Sequence, residues 1–297
     1  MRRPPKDIKL TSYEELVGID GLLPEEQGNS DMKIVNLPLT DLYEPKNHPY
    51  RVLDDEKMEE TVESIRIHGV LVPGLARPRA EGGYELVSGN RRKRGSELAG
   101  VPEMPVIIKN LNDDEATIIM VDSNIQRENL LYSEKAFAYK LKMEAMSHQG
   151  AKNGVGGITA DEVGEKAGES GRTVQRYIRL TMLLPELLEL VDTEKIKFTP
   201  AVEISYLDEA EQGWVLAYIS ESGTYPSGAM ASALKQHHEA NELTYAMVRM
   251  IMGEVKKTPI KVTLPTQKIQ NYFPESYTKE QIETVIYELL EEWKKAQ

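Results

Sequence analysis

Apolar and polar positions between residues 33 and 108 follow the pattern of a compact α/β unit. Met58, Val62 and Ile65 recur at spacings of four and three, which predicts a helix over 54–68. Short apolar runs bounded by glycine or proline are typical of strands. These runs lie at 33–37, 70–78, 84–87 and 106–108.

The positions of glycine and proline indicate how these strands and helices are connected and where they lie in the sheet. Prolines at the margins of strand 70–78 favour an edge of the sheet, because proline has no N–H to donate to a neighbouring strand. Gly82 and Gly83 predict a hairpin turn into strand 84–87, and a further helix is predicted over 89–98. The first unit therefore mixes strands and helices.

From residue 113 onward the pattern is helical, and two short helices with a tight connection are predicted at 159–184. Later helices are expected to break near Pro200 and at 224–228. The expected fold is an α+β N-terminal domain, an all-α domain and a mostly helical C-terminal region. The predicted divisions are an extension at 1–32, the α/β unit at 33–110, connecting helices at 111–150, the domain with the two short helices at 151–243, and the C-terminal region at 244–297.

The last predicted helix follows a capping box at 278–281 and carries a single apolar stripe. Its members are Ile282, Val285, Ile286, Leu289, Leu290 and Trp293. Such a stripe either packs onto its own domain or forms a dimer interface, and the sequence leaves both readings open. A short strand is predicted before it, at 259–264.

Composition excludes several kinds of site. The 297 residues include no Cys, which excludes disulfides, iron–sulfur clusters and cysteine nucleophiles and fits a reducing cytoplasm. None of the 5 His forms a His-x-x-x-His pair, so no zinc site is expected. No apolar run approaches the roughly 20 residues that span a bilayer, and the first residues lack the apolar stretch of a signal peptide. We therefore expect a cytoplasmic protein with no membrane partner.

The net charge of −12 argues against nucleic acid unless the cations are clustered, and they are. The first cluster lies at 88–96, where Gly89 follows a predicted strand and opens a helix. Free N–H groups at a helix N-terminus bind anions, and Arg91 and Arg92 add positive charge, so this segment suits a phosphate chain. The alternative is a solvated basic helix face. The segment is not a Walker loop.

A second polar segment, 122–129, interrupts an otherwise apolar helical region. Asn124 and Gln126 supply amide donors and acceptors, and Arg127 supplies charge. The alternative is a helix–helix corner with local caps.

The second of the two short helices is basic and has no acidic residue. Arginine and glutamine reach base edges, while arginine and threonine hold phosphates. A sharp turn before such a helix favours a helix–turn–helix that binds double-stranded DNA over a plain αα-hairpin. The candidate DNA-binding residues are Arg172, Thr173, Gln175, Arg176 and Arg179.

These three segments, with HGVLVPGLARP before the first, resemble the ParB family of DNA-partition proteins over residues 33–210. The family pattern is Gly-Glu-Arg-Arg-x-Arg, then Glu-Asn-x-Gln-Arg, then a helix–turn–helix. This chain reads Gly89-Asn90-Arg91-Arg92-Lys93-Arg94 and then Ser123-Asn124-Ile125-Gln126-Arg127.

The resemblance implies a ParB/sulfiredoxin-like N-terminal domain whose two motifs bind CTP with Mg²⁺. It further implies a homodimeric clamp on DNA, a palindromic DNA site and a ParA-type ATPase as partner. The implied metal ligand is Asn124. The implied nucleotide-binding residues are Gly89, Asn90, Arg91, Arg92, Ser123, Asn124, Gln126 and Arg127.

Two departures from the family pattern concern hydrolysis. Asn90 and Ser123 stand where the family has glutamates, and carboxylates are the groups that favour Mg²⁺ and act as general bases. Asp122 is one residue away, which is about 100° around a helix, so it is not an equivalent. No catalytic residue is assigned, and the replacement of both glutamates argues against even slow CTP hydrolysis.

The expected function is that of a ParB-like, nucleoid-associated partition protein of a chromosome, plasmid or mobile element, gated by CTP. One alternative is a helix–turn–helix transcriptional regulator on the same scaffold without nucleotide gating. A nuclease is disfavoured, because the tight acidic cluster at 113–115 begins a helix and fits capping there. Sulfiredoxin chemistry is excluded because it needs a cysteine.

Overall fold

The computed structural model describes residues 34–46, 48–127, 130–153, 159–253, 272–274 and 276–295. The chain divides into two compact units, one that ends at Gly253 and one that follows it. The predicted extension at 1–32 and the predicted strand at 259–264 lie outside the described residues.

A five-stranded mixed sheet forms the first part of the larger unit, in the order β1-β5-β3-β4-β2. β1 pairs with β5 and β3 pairs with β4 in antiparallel fashion, whereas β5–β3 and β4–β2 are parallel pairs. The strands are β1 (Ile34–Pro38), β2 (Leu42–Tyr43), β3 (Gly74–Pro78), β4 (Tyr84–Ser88) and β5 (Glu103–Ile108).

The prediction that strand 70–78 lies at an edge is wrong, because β3 is the central strand of the sheet. The two prolines do not obstruct it. Pro73 precedes the strand, and Pro78 is its last residue, opposite Tyr84 at the hairpin end. Neither proline therefore removes a hydrogen bond from the middle of the ladder, where Leu75 pairs with Ile107 of β5.

Twelve α-helices are described. In the α/β part these are α1 (Glu56–His68), α2 (Asn90–Ala99) and α3 (Asp113–Asp122). The larger unit continues with α4 (Tyr132–Asn153), α5 (Ala160–Gly164), α6 (Gly171–Leu180), α7 (Pro185–Asp192), α8 (Phe198–Ile204), α9 (Glu209–Ser222), α10 (Gly228–Glu239) and α11 (Tyr245–Gly253). The second unit contains α12 (Lys279–Lys295). The prediction of an α+β N-terminal domain with a helical remainder is confirmed.

Local capping signals explain several helix boundaries. Asp55 caps α1 by accepting a hydrogen bond from Met58 N, and Gly69 follows its last residue. The predicted break at 224–228 is confirmed, since α9 ends at Ser222 and α10 begins at Gly228. The predicted break near Pro200 is confirmed, since α7 ends at Asp192 and α8 begins at Phe198. Pro200 itself lies in the first turn of α8, where a helix tolerates it because no N–H is needed.

One hydrophobic core joins the sheet to the helices that follow it. Leu75 and Ile107 of the sheet pack in the same buried cluster as Ile119 of α3, Tyr139 of α4 and Val174 of α6. A separate cluster fills the helical bundle from α7 to α11. The position of α6 is therefore set by packing against the α/β part.

Helix α12 begins with the predicted capping box. Gln281 N donates to Thr278 Oγ1, and Thr278 N donates to Gln281 Oε1. None of its residues is buried, and the apolar stripe includes the exposed side chains of Leu290 and Trp293. Among the described helices, none has the length and apolar run needed to cross a bilayer.

Candidate functional site

The first predicted motif forms a tight cradle at the N-terminus of α2. Gly89 has a φ of +118°, and a Cβ atom there would lie 3.2 Å from the Cα of Gly74 and 3.4 Å from Nη2 of Arg92. Both the backbone conformation and the close approach therefore require glycine. Gly89 has no side chain to cap the first N–H groups of α2, so they are available to an anion.

Asn90, the first residue of α2, is held by a histidine that sequence analysis did not select. His48 Nδ1 lies 2.6 Å from the Tyr50 carbonyl oxygen, and Asn90 Nδ2 lies 2.9 Å from His48 Nε2. A carbonyl can only accept, so Nδ1 carries the proton and Nε2 accepts from the amide. Burial lowers the pKa of His48 below 6.5, which favours this neutral ring.

The other end of the same amide is unsatisfied. Asn90 is 6% exposed, and its Oδ1 has no hydrogen-bond donor among the described residues. A buried acceptor left without a donor costs about 1–3 kcal/mol. Such an atom on the residue that follows Gly89 points to a ligand or an ordered water that donates to it.

The two arginines assigned to phosphates have internal partners. Arg91 Nη2 lies 2.8 Å from Asp55 Oδ1, and hydrogen bonding to this arginine lowers the pKa of Asp55. Arg92 Nη1 donates to the carbonyls of Val72 and Pro73, each at 2.6 Å. Arg92 thus also fixes the loop that leads into β3.

The remaining cations of the basic run also have carboxylate partners. Arg94 contacts Asp54 at 2.6 Å, and Lys93 contacts Glu97 at 2.8 Å. The charges of this helix face are therefore largely paired with nearby carboxylates, and the pairs themselves lie at the surface.

The second predicted motif follows α3. Ser123 Oγ donates to the Met120 carbonyl at 3.1 Å, and Asn124, which is buried, donates to the same carbonyl from Nδ2 at 2.7 Å. Gln126 is exposed, and its Nε2 donates to the Lys166 carbonyl at 2.9 Å. Two of these side chains thus shape the end of α3, and one reaches the turn between α5 and α6.

Arg127 brings the two motifs together. Its side chain forms no hydrogen bond or ion pair within the described part of the chain. Arg127 is exposed, but partial desolvation and the nearby positive charge of Arg91 lower the pKa of its guanidinium, while Tyr50 raises it. A cation beside a second cation, at a helix N-terminus, is suited to bind a polyanion.

The carboxylates near the second motif already have partners within the protein. Asp122 is buried in an ion pair with Lys142 at 2.5 Å, and Lys166 lies 3.9 Å from its other oxygen. Glu134 accepts the backbone N–H groups of Arg51 and Leu131.

Within the described residues, no group of three His, Asp or Glu side chains could hold a metal. Mg²⁺ prefers carboxylate and phosphate oxygens, and Asn124 offers a single amide oxygen. The protein groups described here therefore do not by themselves make a Mg²⁺ site. At most, Asn124 Oδ1 would be one ligand among phosphate oxygens and water.

The helices α5 and α6 cross at glycines. A Cβ on Gly164 would lie 2.3 Å from the Glu169 carbonyl oxygen, and one on Gly171 would lie 2.7 Å from Asp161 N. Asp161 Oδ1 accepts the Gly171 N–H at 2.6 Å, and this bond pins the start of α6 to α5. The sharp connection between the two helices depends on these small residues.

The polar residues of α6 fall into two groups. Arg172 and Gln175 are exposed, three residues apart, and are free to contact a ligand along the helix surface. Thr173 lies 3.0 Å from the capping hydroxyl of Ser170, so its side chain supports the helix start.

Arg176 and Arg179 are braced by aromatic rings. Arg176 donates to Thr199 Oγ1 at 2.9 Å and lies 4.7 Å from the centre of the Phe198 ring. Arg179 donates to the Ser205 carbonyl at 2.8 Å and lies 4.3 Å from the Tyr206 ring centre. The sequence predicted these arginines as DNA contacts, but their aromatic supports on and after α8 were missed because they are distant in sequence.

A cavity of about 570 Å³ lies elsewhere, between the β3–β4 hairpin and α3, and none of the predicted site residues lines it. Its main cation, Arg77, is 2.7 Å from both Glu85 and Asp113. Because Arg77 is already neutralised by two carboxylates, this cavity is a weaker candidate for an anion site than the one formed by the two motifs.

Comparisons with known proteins identify the family of the chain. The model of the ParB N-terminal domain family matches residues 24–125. The chromosome-partitioning protein Spo0J of Thermus thermophilus is 33% identical over 219 residues, which cover 74% of this chain and 75% of that protein. The nucleoid occlusion protein of Halalkalibacterium halodurans is 29% identical over 198 residues, 66% of each chain.

Two solved structures of C-terminally truncated ParB from Caulobacter crescentus are also similar to this chain. The complex with the centromeric parS site is 24% identical, with a TM-score of 0.45, and covers 68% of this chain and 98% of that one. The complex with CTP-γ-S is 26% identical, with a TM-score of 0.31, and covers 62% and 99%.

Proposed function

The chain belongs to the ParB family of chromosome-partitioning proteins, and from this premise we propose that it is a DNA-binding partition protein gated by CTP. The observation that carries the proposal is that Arg127 of the second motif lies near enough to Arg91, in the first turn of α2, for the charge of Arg91 to lower the pKa of Arg127. This arrangement suits a triphosphate better than a single anion, because several donors converge there.

In this proposal the backbone of Gly89 and the first turn of α2 hold phosphate oxygens. Arg127 has no partner within the described residues, so a phosphate gives it one. Arg91 exchanges Asp55 for phosphate, whereas Arg92 keeps the loop before β3 in place while it faces the ligand. Gln126 completes the pocket from the side of α5 and α6.

DNA binding is proposed for α6. In this proposal the exposed Arg172 and Gln175 read base edges in a major groove, and Arg176 and Arg179 brace the helix and add charge toward phosphates. A palindromic site follows if the protein is a homodimer, because the two-fold axis of the protein then matches that of the DNA. A ParA-type ATPase and location on the nucleoid complete the proposed setting.

Calorimetric titration with CTP, ATP and GTP tests the nucleotide site. We expect selective CTP binding that Arg127→Gln weakens at least about tenfold, the size of a lost charge-assisted hydrogen bond. Arg66→Gln is the matched control, since Arg66 lies on α1 with an exposed ion pair to Glu63. Equal binding by Arg127→Gln and the wild type, or no binding of any nucleotide, contradicts the proposal.

DNA footprinting with and without CTP separates partition from simple regulation. A partition clamp extends its protection beyond the binding site when CTP is present, whereas a regulator protects only its operator. Arg172→Ala is expected to weaken site binding by about 1–3 kcal/mol if Arg172 reads a base. If it contacts a phosphate instead, the salt slope falls by about 0.9.

In this proposal the protein binds CTP but hydrolyses it inefficiently. Asn90 and Ser123 replace carboxylates, and Asp122 is held by Lys142 instead of facing the site. A phosphate-release assay with CTP, Mg²⁺ and DNA tests this. Rapid phosphate release by the wild type contradicts it, and Asn90→Glu is the variant in which hydrolysis is expected to rise.

A further inference from the structure

Asn90 Oδ1 is a buried hydrogen-bond acceptor for which the described residues supply no donor. The residue is 6% exposed, it opens α2 directly after Gly89, and the oxygen has no donor among the described residues. Native structures rarely bury an acceptor without a partner, so a donor from outside the described residues, on a ligand or an ordered water, is expected at this oxygen.

The direction of this amide is fixed by its neighbours. The Tyr50 carbonyl requires a proton on His48 Nδ1, so His48 Nε2 presents a lone pair, and Asn90 must face it with Nδ2. Rotating the amide by half a turn would set Oδ1 against that lone pair, two acceptors face to face. As long as His48 is neutral, Asn90 therefore keeps its NH₂ group on His48 and leaves its oxygen as the unpartnered atom.

We propose that Asn90 is a specificity-determining residue of the nucleotide site and that His48 is its positioning residue: Asn90 Oδ1 accepts a hydrogen bond from a neutral hydroxyl or amine of the nucleotide. The inference rests on the proposed nucleotide function. Phosphate oxygens are acceptors and do not satisfy Oδ1. The donor is a sugar hydroxyl or the exocyclic amine of cytosine, which are the neutral donors that CTP carries.

The experiment compares four ligands by calorimetry: CTP, 2′-deoxy-CTP, 3′-deoxy-CTP and UTP, which has a carbonyl where CTP has the amine. The wild type is expected to bind at least one of the last three about tenfold more weakly than CTP, and that analogue identifies the donor. Asn90→Ala is expected to abolish this preference. His48→Phe is expected to reduce it, because the amide is then free to rotate.

His148→Phe is the matched control. His148 is exposed on α4 and contacts Asp114, away from the two motifs in sequence, and its replacement is expected to leave the preference intact. A ¹H–¹⁵N spectrum of the histidine rings in the wild type provides a measurement that needs no variant. It must show His48 as the neutral ring protonated on Nδ1, and a proton on Nε2 instead overturns the inference.

Failure of the inference and failure of the proposed function give different results. If CTP binds but all four ligands bind equally, or if Asn90→Ala keeps the preference, the role of Asn90 is wrong while the nucleotide site stands. If CTP does not bind at all, both are wrong. A preference that depends on Asn90 and falls in His48→Phe supports the assignment.

Discussion

Arg92 has two roles, and the sequence predicts only one of them. It lies in the basic run predicted to hold phosphates, and its guanidinium also donates to the carbonyls of Val72 and Pro73. Replacing it therefore disturbs the loop before β3 as well as any ligand. Arg127 is the cleaner probe of anion binding, because it has no such bond within the described residues.

The histidine and the carboxylate partners of the site show the limit of sequence analysis at this scale. The glycine-arginine motif can be recognised from the sequence, because its residues are adjacent in the chain. His48 lies in a turn-rich segment more than forty residues earlier, and its contact with Asn90 spans 42 positions. Asp55 reaches Arg91 across 36 positions. Only the folded chain brings such partners together.

Lys142 and Asp122 form a buried ion pair that we expect to be essential for stability. Lys142→Met removes the buried cation of the pair and leaves only the more exposed Lys166 near the Asp122 carboxylate, at 3.9 Å, so the expected cost is about 3–5 kcal/mol in the free energy of unfolding. Chemical denaturation measures this. Lys140→Met, two positions away on α4, is the control and is expected to cost far less. Similar losses for both variants would contradict the assignment.

At the scale of elements, α5 and α6 depend on the absence of side chains where they cross. Gly164→Ala is expected to destabilise the protein by about 1–3 kcal/mol and to weaken DNA binding, because its Cβ would strike the Glu169 carbonyl. Gly213→Ala on α9 is the control: nothing lies within 4 Å of its Cβ, so a gain of about 0.5–1 kcal/mol is expected. Thermal unfolding and a DNA-binding titration check both, and a neutral Gly164→Ala would refute the crossing.

Helix α1 begins at a residue shared with the nucleotide site. Asp55 caps α1 and also pairs with Arg91, so a phosphate on Arg91 competes with the cap residue. Asp55→Asn keeps a good cap without the charge and is expected to bind CTP about two- to fivefold more tightly at unchanged stability. Asp55→Ala also loses the cap and is expected to melt at a lower temperature. Weaker CTP binding by Asp55→Asn would count against this competition.

Element types were predictable because their signals are local. The capping box of Thr159 and Glu162 and the spacing of apolar residues in 56–68 predict α5 and α1 close to their observed limits. The place of β3 in the middle of the sheet was not predictable, since strand order depends on pairing with β5, which is distant in sequence. The break near Pro200 was predictable only to within a few residues, because a proline ends some helices and lies in the first turn of others, as it does in α8.

For the whole molecule, the division after Gly253 leaves α12 in a unit of its own, with its apolar stripe exposed. We expect this stripe to be the dimer interface. Leu290→Glu is expected to shift the protein from dimer to monomer in sedimentation experiments, because it places a charge in an apolar contact. Glu291→Gln, on the opposite side of the helix, is expected to remain dimeric. A dimeric Leu290→Glu variant would place the interface elsewhere.

The hydrogen bond from Gln126 Nε2 to the Lys166 carbonyl joins the second motif to the turn between α5 and α6. Thermodynamic linkage makes such a contact reciprocal. If nucleotide binding alters this bond and so changes the affinity for DNA by some factor, DNA must change the affinity for nucleotide by the same factor. The Gln126 amide then contributes to both binding equilibria. A substitution of Gln126 that changes the coupling changes the effect of nucleotide on DNA affinity and the effect of DNA on nucleotide affinity together.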